Sequence, residues 1–427
     1  MNQFNVRNSA GAIEGPCTAE QLRQMAADGR ITAETAVQRV GGSGTWHRAA
    51  SIRGLAFAAP PTVAPEGVPT PPRPVVAPAP RPMPKNQAVA GVVAAPTGHD
   101  PRALVGRVTR QVSEIAGTEI VERSHVKALF ADVLLKHTSE DAESAFSHGL
   151  TKSTPELAEI ETGFPSPWVY TRLIVFFGVA FAGLWFAWLQ WQEPNLLPGL
   201  ILLGSFAFPI ATAVFFYECN VPRNISLFAA LRMFMWGGVL SLVLSLALFQ
   251  LAGRWNQVIG DSVAGFVEEP GKLAAVVLLA GFRPKYRWTL NGLCLGAAVA
   301  AGFAAFESAG YAMRILLETN SSRPMFDNIV LRAFLAPFSH VVWTAISAGA
   351  LWRVRRDRPF EMGMLRDRRC LAPLVAVMLL HAAWNSSLVA SVPLAGGYLV
   401  LGVIAWIIAI GLLLGGLKEI AAAKREL

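Results

Sequence analysis

The hydrophobic and polar positions follow two different patterns, which meet near residue 165. Before it, apolar residues are sparse. Phe4 and Val6 alternate with polar neighbours as a half-buried strand does, and Gly15-Pro16 reads as a turn. The stretch "TAEQLRQMAADGR" reads as a helix with Thr18 at its N-cap and Gly29 just past its end. A second helix is expected around "SHVKALFADVLLKH". From Trp168 onward, apolar runs of about 20 to 28 residues follow one another, near 168–191, 195–217, 225–251, 257–282, 288–317, 327–352, 370–391 and 395–417. Each is long enough to cross ~30 Å of hydrocarbon as a helix. The pattern therefore predicts a mainly α chain: a polytopic membrane bundle of about eight transmembrane helices behind a small α+β soluble domain.

Four segments follow: a small domain at 1–55, a Pro/Ala-rich linker at 56–100, a helical region at 101–165 and the membrane domain at 166–420. The linker has eleven prolines between Pro60 and Pro84, which favours extended polyproline II over a packed core. In the small domain Trp46 is the one tryptophan and is expected at the centre of a scant core. His125, His137 and His148 are irregularly spaced on a polar background and are expected at solvated surface.

Composition supports the membrane reading, with 53% hydrophobic residues, 15% charged residues and 12 tryptophans. A net charge of +8 would suggest a nucleic-acid partner in a soluble chain. Here the basic residues sit between apolar runs, where the bias of positive charge toward the cytoplasmic side accounts for them, so no nucleic-acid partner is expected. Arg223, then Arg283, Lys285 and Arg287, then the seven arginines of "RVRRDRPFEMGMLRDRR", then Lys418, Lys424 and Arg425 fall on one side; Arg254 and Arg323 fall on the other. The first ten residues lack a secretory signal. Both termini are therefore expected in the cytoplasm, with membrane lipid around the bundle. Cys17, Cys219, Cys294 and Cys370 form no CxxC pair and read as packing residues.

The candidate chemistry lies where charge interrupts the apolar runs. Glu268, Glu269 and Lys272 head the fourth run, and leaving them unpaired would cost on the order of 8–10 kcal/mol. At about 100° per residue Lys272 falls between the two glutamates, so one ammonium can serve both. Pro270 and Gly271 in the same turn should loosen the helix and turn it toward the bundle interior. A structural ion pair would need one acid and one base. The following runs add Glu307, His340, His381 and Asn385. Counted from the basic ends at about 1.5 Å per residue, Glu268 lies ~21 Å in, Glu307 ~28 Å, His340 ~18 Å and His381 ~16 Å. Ionisable groups converging inside a membrane point to function.

Carboxylates beside a lysine, with His and Asn donors, suit peptide-bond hydrolysis by an activated water. Alternatively Glu307, His340 and His381 form an open His2Glu set for zinc or another divalent metal, with Glu268 or Glu269 as the base, although no HExxH signature accompanies it. A proton-coupled transporter would use similar residues but usually shows inverted repeats, and none is found. A non-catalytic scaffold presenting the N-terminal domain is the third reading.

Two resemblances sharpen this. Gly11, Gly15-Pro16, the Glu20/Leu22 helix, Gly29, Ile31, Thr35 and Trp46 resemble a GYF_2-type domain. That resemblance implies docking of a proline-rich peptide, with a small cap that binds nothing as the alternative. Glu268-Glu269-x-x-Lys272, Phe303-x-x-x-Glu307, His340 and His381-x-x-x-Asn385 resemble the bacterial PrsW family of intramembrane proteases, within the superfamily of the type II CAAX prenyl endopeptidases and Abi proteins, over about 165–417. By that resemblance Glu268 activates water, Glu269 and Lys272 support it, and Glu307 stands where CAAX-type relatives have histidine. His381 and Asn385 correspond to metal-binding or oxyanion-binding positions. The resemblance implies regulated cleavage of membrane-protein substrates such as anti-sigma factors in the bacterial inner membrane, and leaves metal dependence open. The small domain and linker then recruit or regulate.

Overall fold

The structure is a computed structural model and describes residues 3–7, 13–33, 35–40, 47–52, 55, 101–150, 152–253 and 255–427. Gly11, Trp46, Arg254 and the linker at 56–100 lie outside the described residues. The chain divides into two compact units, Met1–Val93 and Ala94–Leu427.

In the first unit β1 (Gln3–Arg7), β2 (Ile13–Thr18), β3 (Ala36–Arg39) and β4 (His47–Arg48) form an antiparallel sheet in the order β2-β1-β3-β4. α1 (Ala19–Ala27) starts at a capping box, in which Thr18 Oγ1 accepts from the Gln21 N–H and Gln21 Oε1 accepts from the Thr18 N–H. It ends at Gly29, whose φ of +73° is the left-handed turn that glycine adopts without strain. Val6, Leu22, Ala26, Ile31, Val37 and Ala49 close the core, with Phe4 packed against it. The expected turn at Gly15-Pro16 is corrected: the pair lies inside β2, joined by a cis bond. β2 is an edge strand, where a residue without an N–H removes no ladder bond from a central neighbour.

In the second unit a helical region precedes the bundle: α2 (Pro101–Ala116), α3 (Arg123–Ala128) and α4 (Ser139–Phe146). The long helix expected around "SHVKALFADVLLKH" shortens to α3 followed by turns. The histidines expected at solvated surface have partners instead. His125 Nδ1 accepts from the Glu122 N–H, His137 stacks on Trp168 at 3.7 Å, and half-buried His148 lies beside Arg223 in one pocket.

The bundle runs through α5 (Val169–Trp191), α6 (Leu197–Glu218), α7 (Leu227–Arg232), α8 (Gly238–Ala252), α9 (Trp255–Ile259), α10 (Ala264–Ala280), α11 (Thr289–Thr319), α12 (Ser322–Leu335), α13 (His340–Arg355), α14 (Arg368–Trp384), α15 (Ser387–Ala390) and α16 (Gly396–Arg425). Among the described residues, six spans are long and apolar enough to cross a membrane: 169–191, 194–218, 227–252, 289–319, 322–355 and 396–425. The other two of the eight expected runs form α10 and α14, each of 17 residues. At 1.5 Å per residue each is about 26 Å long, short of a full hydrocarbon crossing. α10 also carries three charges that a lipid-facing helix would not tolerate.

α11 is the axis of the bundle, with 19 of its 31 residues buried. Its glycines permit that packing. A Cβ at Gly302 would overlap the carbonyl oxygen of Phe234, in the π-helical segment Met233–Gly237 that joins α7 to α8. One at Gly296 would lie 2.5 Å from the carbonyl oxygen of Thr344 on α13. At the basic end, Arg355 is fully buried. Its guanidinium donates to the carbonyls of Gly281, Arg283 and Tyr286, so one of the seven loop arginines clamps the α10–α11 connection.

Candidate active site

The sixth apolar run is broken. Ala336–Phe338 form one 3₁₀ turn, Ser339 leaves helical geometry, and His340 becomes the first residue of α13. The break moves His340 off a helix middle and aims it at α10. Measured along the axes to the basic ends, Glu268, His340 and His381 now stand roughly 18, 22 and 20 Å in, and Glu307 roughly 27 Å.

Lys272 is the hub. Its Nζ donates to Glu268 Oε2 at 3.1 Å and to Glu269 Oε1 at 2.7 Å, and lies 2.8 Å from His340 Nδ1 and 4.1 Å from the centre of the Phe303 ring. An ammonium only donates, so Nδ1 of His340 must be the ring's lone-pair nitrogen. That assigns the proton to Nε2, which faces Glu307 Oε2 at 3.2 Å. Glu307 Oε2 also accepts from Arg332 Nη2 at 2.5 Å. Arg332 is held in turn by Ser308 Oγ at 2.9 Å and by the Tyr311 ring.

On the other side Glu269 accepts from His381 Nδ1 at 2.9 Å and from Thr344 Oγ1 at 3.3 Å. A carboxylate behind Nδ1 fixes the ring and turns Nε2 toward Glu268, 3.8 Å away. Trp343 stacks on the His381 ring at 4.5 Å and limits its rotation.

Six of the seven expected residues thus meet in one cluster. The two glutamates have different surroundings: Glu269 is fully buried behind Lys272, whereas Glu268 borders a cavity of about 440 Å³ with Phe303, Glu307, His340 and His381. The cavity wall on α8 is apolar apart from one serine, with Leu242, Leu246 and Phe249 making most of it. A neighbouring cavity of about 480 Å³ is bordered by Asn328, Ser339, Ser386, Ser387 and Tyr398. Asp261, Arg332, His340, Trp384 and Asn385 line both. Asn385, the seventh residue, caps the end of α14 and donates to the Asp261 carbonyl at 3.3 Å, so it borders the cavities without joining the cluster.

Pro270 and Gly271 do not break α10. Gly271 allows α8 to approach, since a Cβ there would sit 2.7 Å from Ser245 Oγ. Ser245 is buried, lines the cavity beside Glu268 and has no hydrogen-bond partner among the described residues. Arg332 and Ser245 were absent from the expected site. Arg332 carried a readable signal, as a charge inside an apolar run. Ser245 carried none, because serine is common in transmembrane helices.

The metal question has a geometric form. Among the described residues, Glu268, His340 and His381 offer ligand atoms within 4.8 Å of one another. This set differs from the expected Glu307, His340 and His381, because Arg332 engages Glu307. Two nitrogens and one carboxylate, with Glu269 orienting His381 from behind, fit a single divalent ion. The fit has one condition: the lone pair of His340 is now taken by Lys272, whose ammonium would have to withdraw.

Two family models match parts of the chain. Residues 226–413 match the PrsW family intramembrane metalloprotease, and residues 7–55 match GYF domain 2. The first match contains all seven expected site residues. No curated protein and no solved structure matches the chain.

Proposed function

We propose that this chain, a multi-pass membrane protein with a PrsW-family intramembrane protease domain behind a GYF domain 2, cleaves membrane-protein substrates by glutamate-activated water. The observation that carries the reading is the asymmetry of the glutamates: one faces a cavity and the other is sealed behind Lys272. Glu268 takes a proton from a water in the cavity as the water oxygen bonds to the scissile carbonyl carbon. Glu269 and Lys272 position it and hold the local charge near balance. Arg332 and Asn385 border both cavities and bring N–H donors toward the developing oxyanion. Collapse breaks the C–N bond, and the proton held by Glu268 passes to the departing amine. A divalent ion held by Glu268, His340 and His381 would supply Lewis-acid polarisation of the carbonyl and a more acidic water.

The apolar α8 wall suits an apolar substrate segment, and the hydroxyl-rich cavity suits the polar chain beyond it. The arginine-rich face is read as cytoplasmic, in a bacterial inner membrane, with both termini there. The GYF domain 2 is read as a dock for proline-rich peptides, and an anti-sigma factor remains the substrate suggested by the family resemblance.

The test compares the N-termini of all membrane and envelope proteins in cells producing wild type or Glu268→Gln at equal abundance. New N-termini near transmembrane segments that appear only with wild type are expected, with the rate on an identified substrate falling ~10²–10⁴-fold in the variant. Identical profiles from two folded proteins would reject the proposal. Chelation of the purified enzyme then separates the routes: activity that survives metal removal assigns the water to Glu268 alone.

A further inference from the structure

α2 precedes the bundle in sequence yet is packed onto it. Ser113 and Ala116 are buried, Val112 is half-buried, and the helix rests on α14 and α16. Just beyond it, Gly117 O accepts from Arg353 Nη1 at 2.7 Å, and Glu119 Oε2 meets Lys418 Nζ at 2.6 Å. Gly411 of α16 lies so close that a Cβ there would sit 2.6 Å from Thr118 Oγ1 and from the Glu119 carbonyl oxygen. Gly411 is seven residues, about 10 Å, to the membrane side of Lys418. The end of α2 is therefore held at the depth where the bundle passes from basic loops to apolar helix.

At about 100° per residue, Leu104, Val105, Val108, Val112 and Ile115 fall within an arc of roughly 100° that adjoins the buried face. Leu104 is 56% exposed, Val105 62%, Val108 41% and Ile115 69%. The rest of the circumference carries exposed Arg107, Arg110, Gln111 and Glu114. α14, against which the helix packs, exposes Leu371, Val375 and Leu379, an apolar stripe on a bundle helix that only lipid is suited to cover.

We propose that α2 is an interfacial helix: Leu104, Val105, Val108 and Ile115 lie in the boundary between headgroups and acyl chains on the basic side of the bundle, and Arg107 and Arg110 meet anionic lipid headgroups. Three observations select lipid over a second copy or a soluble partner. The helix is anchored at interface depth, the bundle helix it packs on exposes an apolar stripe of its own, and the polar side of α2 carries Arg107 and Arg110 as surface-bound amphipathic helices do.

The test uses the full chain with Cys17→Ser, since Cys219, Cys294 and Cys370 are buried. Single cysteines at positions 104, 107, 108, 114 and 115 carry a nitroxide, and the protein is reconstituted in phosphatidylcholine–phosphatidylglycerol vesicles. These positions are exposed, so folding is not at stake. Collisions with oxygen should exceed those with a water-soluble nickel complex at 104, 108 and 115, and the order should reverse at 107 and 114. Leaving out phosphatidylglycerol should shift position 108 toward water. Nickel collisions dominating at all five positions would overturn the proposal. So would spin–spin broadening between copies at 108, which would mean that a second chain covers the face. Depth unchanged by the anionic lipid would overturn the role given to the arginines.

Discussion

α5 and α10 show how differently two helices can be adapted to a membrane. α5 is apolar without interruption from Leu173 to Leu189 and buries only Val169 and Trp188, leaving Val175, Phe176 and Val179 to lipid. α10 is shorter, has three charges and a proline, and buries twelve of its 17 residues. Hydropathy ranks α5 as the more membrane-like, yet α10 lies deeper in the protein. The reason is that hydropathy measures compatibility with lipid, whereas a helix surrounded by other helices must satisfy its neighbours. A charge in the middle of α5 would meet hydrocarbon, but on α10 each charge meets a partner of opposite sign or a hydrogen-bond acceptor.

The largest expected effect tests this partnership. Lys272→Met leaves two buried glutamates without their cation and should destabilise the fold by about 3–5 kcal/mol, read from unfolding in detergent. Phe176→Ala on α5 should stay within about 0.5 kcal/mol of wild type, because lipid covers that position before and after. If the two variants unfolded alike, the distinction between the helices would collapse.

Next comes Arg332→Gln, which should leave the bundle folded and lower cleavage by about 10²–10³-fold if the guanidinium orients Glu307 and stabilises the oxyanion. Arg332→Lys should recover part of the rate, since it keeps the charge without the planar fork. Equal loss in both, with altered unfolding, would mark Arg332 as structural. Gly302→Val is expected to cost about 1–3 kcal/mol by forcing α11 away from the π segment. A similar substitution at Gly183 of α5, which has open space around it, should cost less.

The smallest effect lies outside the membrane. Burial, then the charge of Arg223, hold the His148 imidazole below the ordinary histidine pKa. The folded state thus binds fewer protons than the unfolded one, so stability contributed here is present above the ordinary range and declines as pH falls through it. Amide-exchange protection around residues 146–150, taken relative to the intrinsic rate at each pH, should fall on mild acidification, and His148→Asn should flatten that response.

Much of the site was legible because buried charge is expensive. Glu268, Glu269, Lys272, Glu307, His340 and His381 were each conspicuous within an apolar run, and the 3,4 spacing around Lys272 foretold its two ion pairs. The same rule applied to Arg332, a charge inside the sixth apolar run, but no spacing to another ionisable residue tied it to the site. Asn385 was placed in the site by its spacing from His381, but one helical turn later the chain had reached the C-cap, where its amide turns to the Asp261 carbonyl.

Sequence alone determined the membrane class and the residues that must find partners, since both follow from the cost of exposing apolar groups to water or charges to lipid. Tertiary structure decided which partners they found. The break at Ala336–Phe338, the glycine contacts of α11 and the choice of Glu268 over Glu307 beside the two histidines depend on how helices rotate and approach. Periodicity along one chain constrains each helix's own face, and leaves open the angle at which another helix meets it.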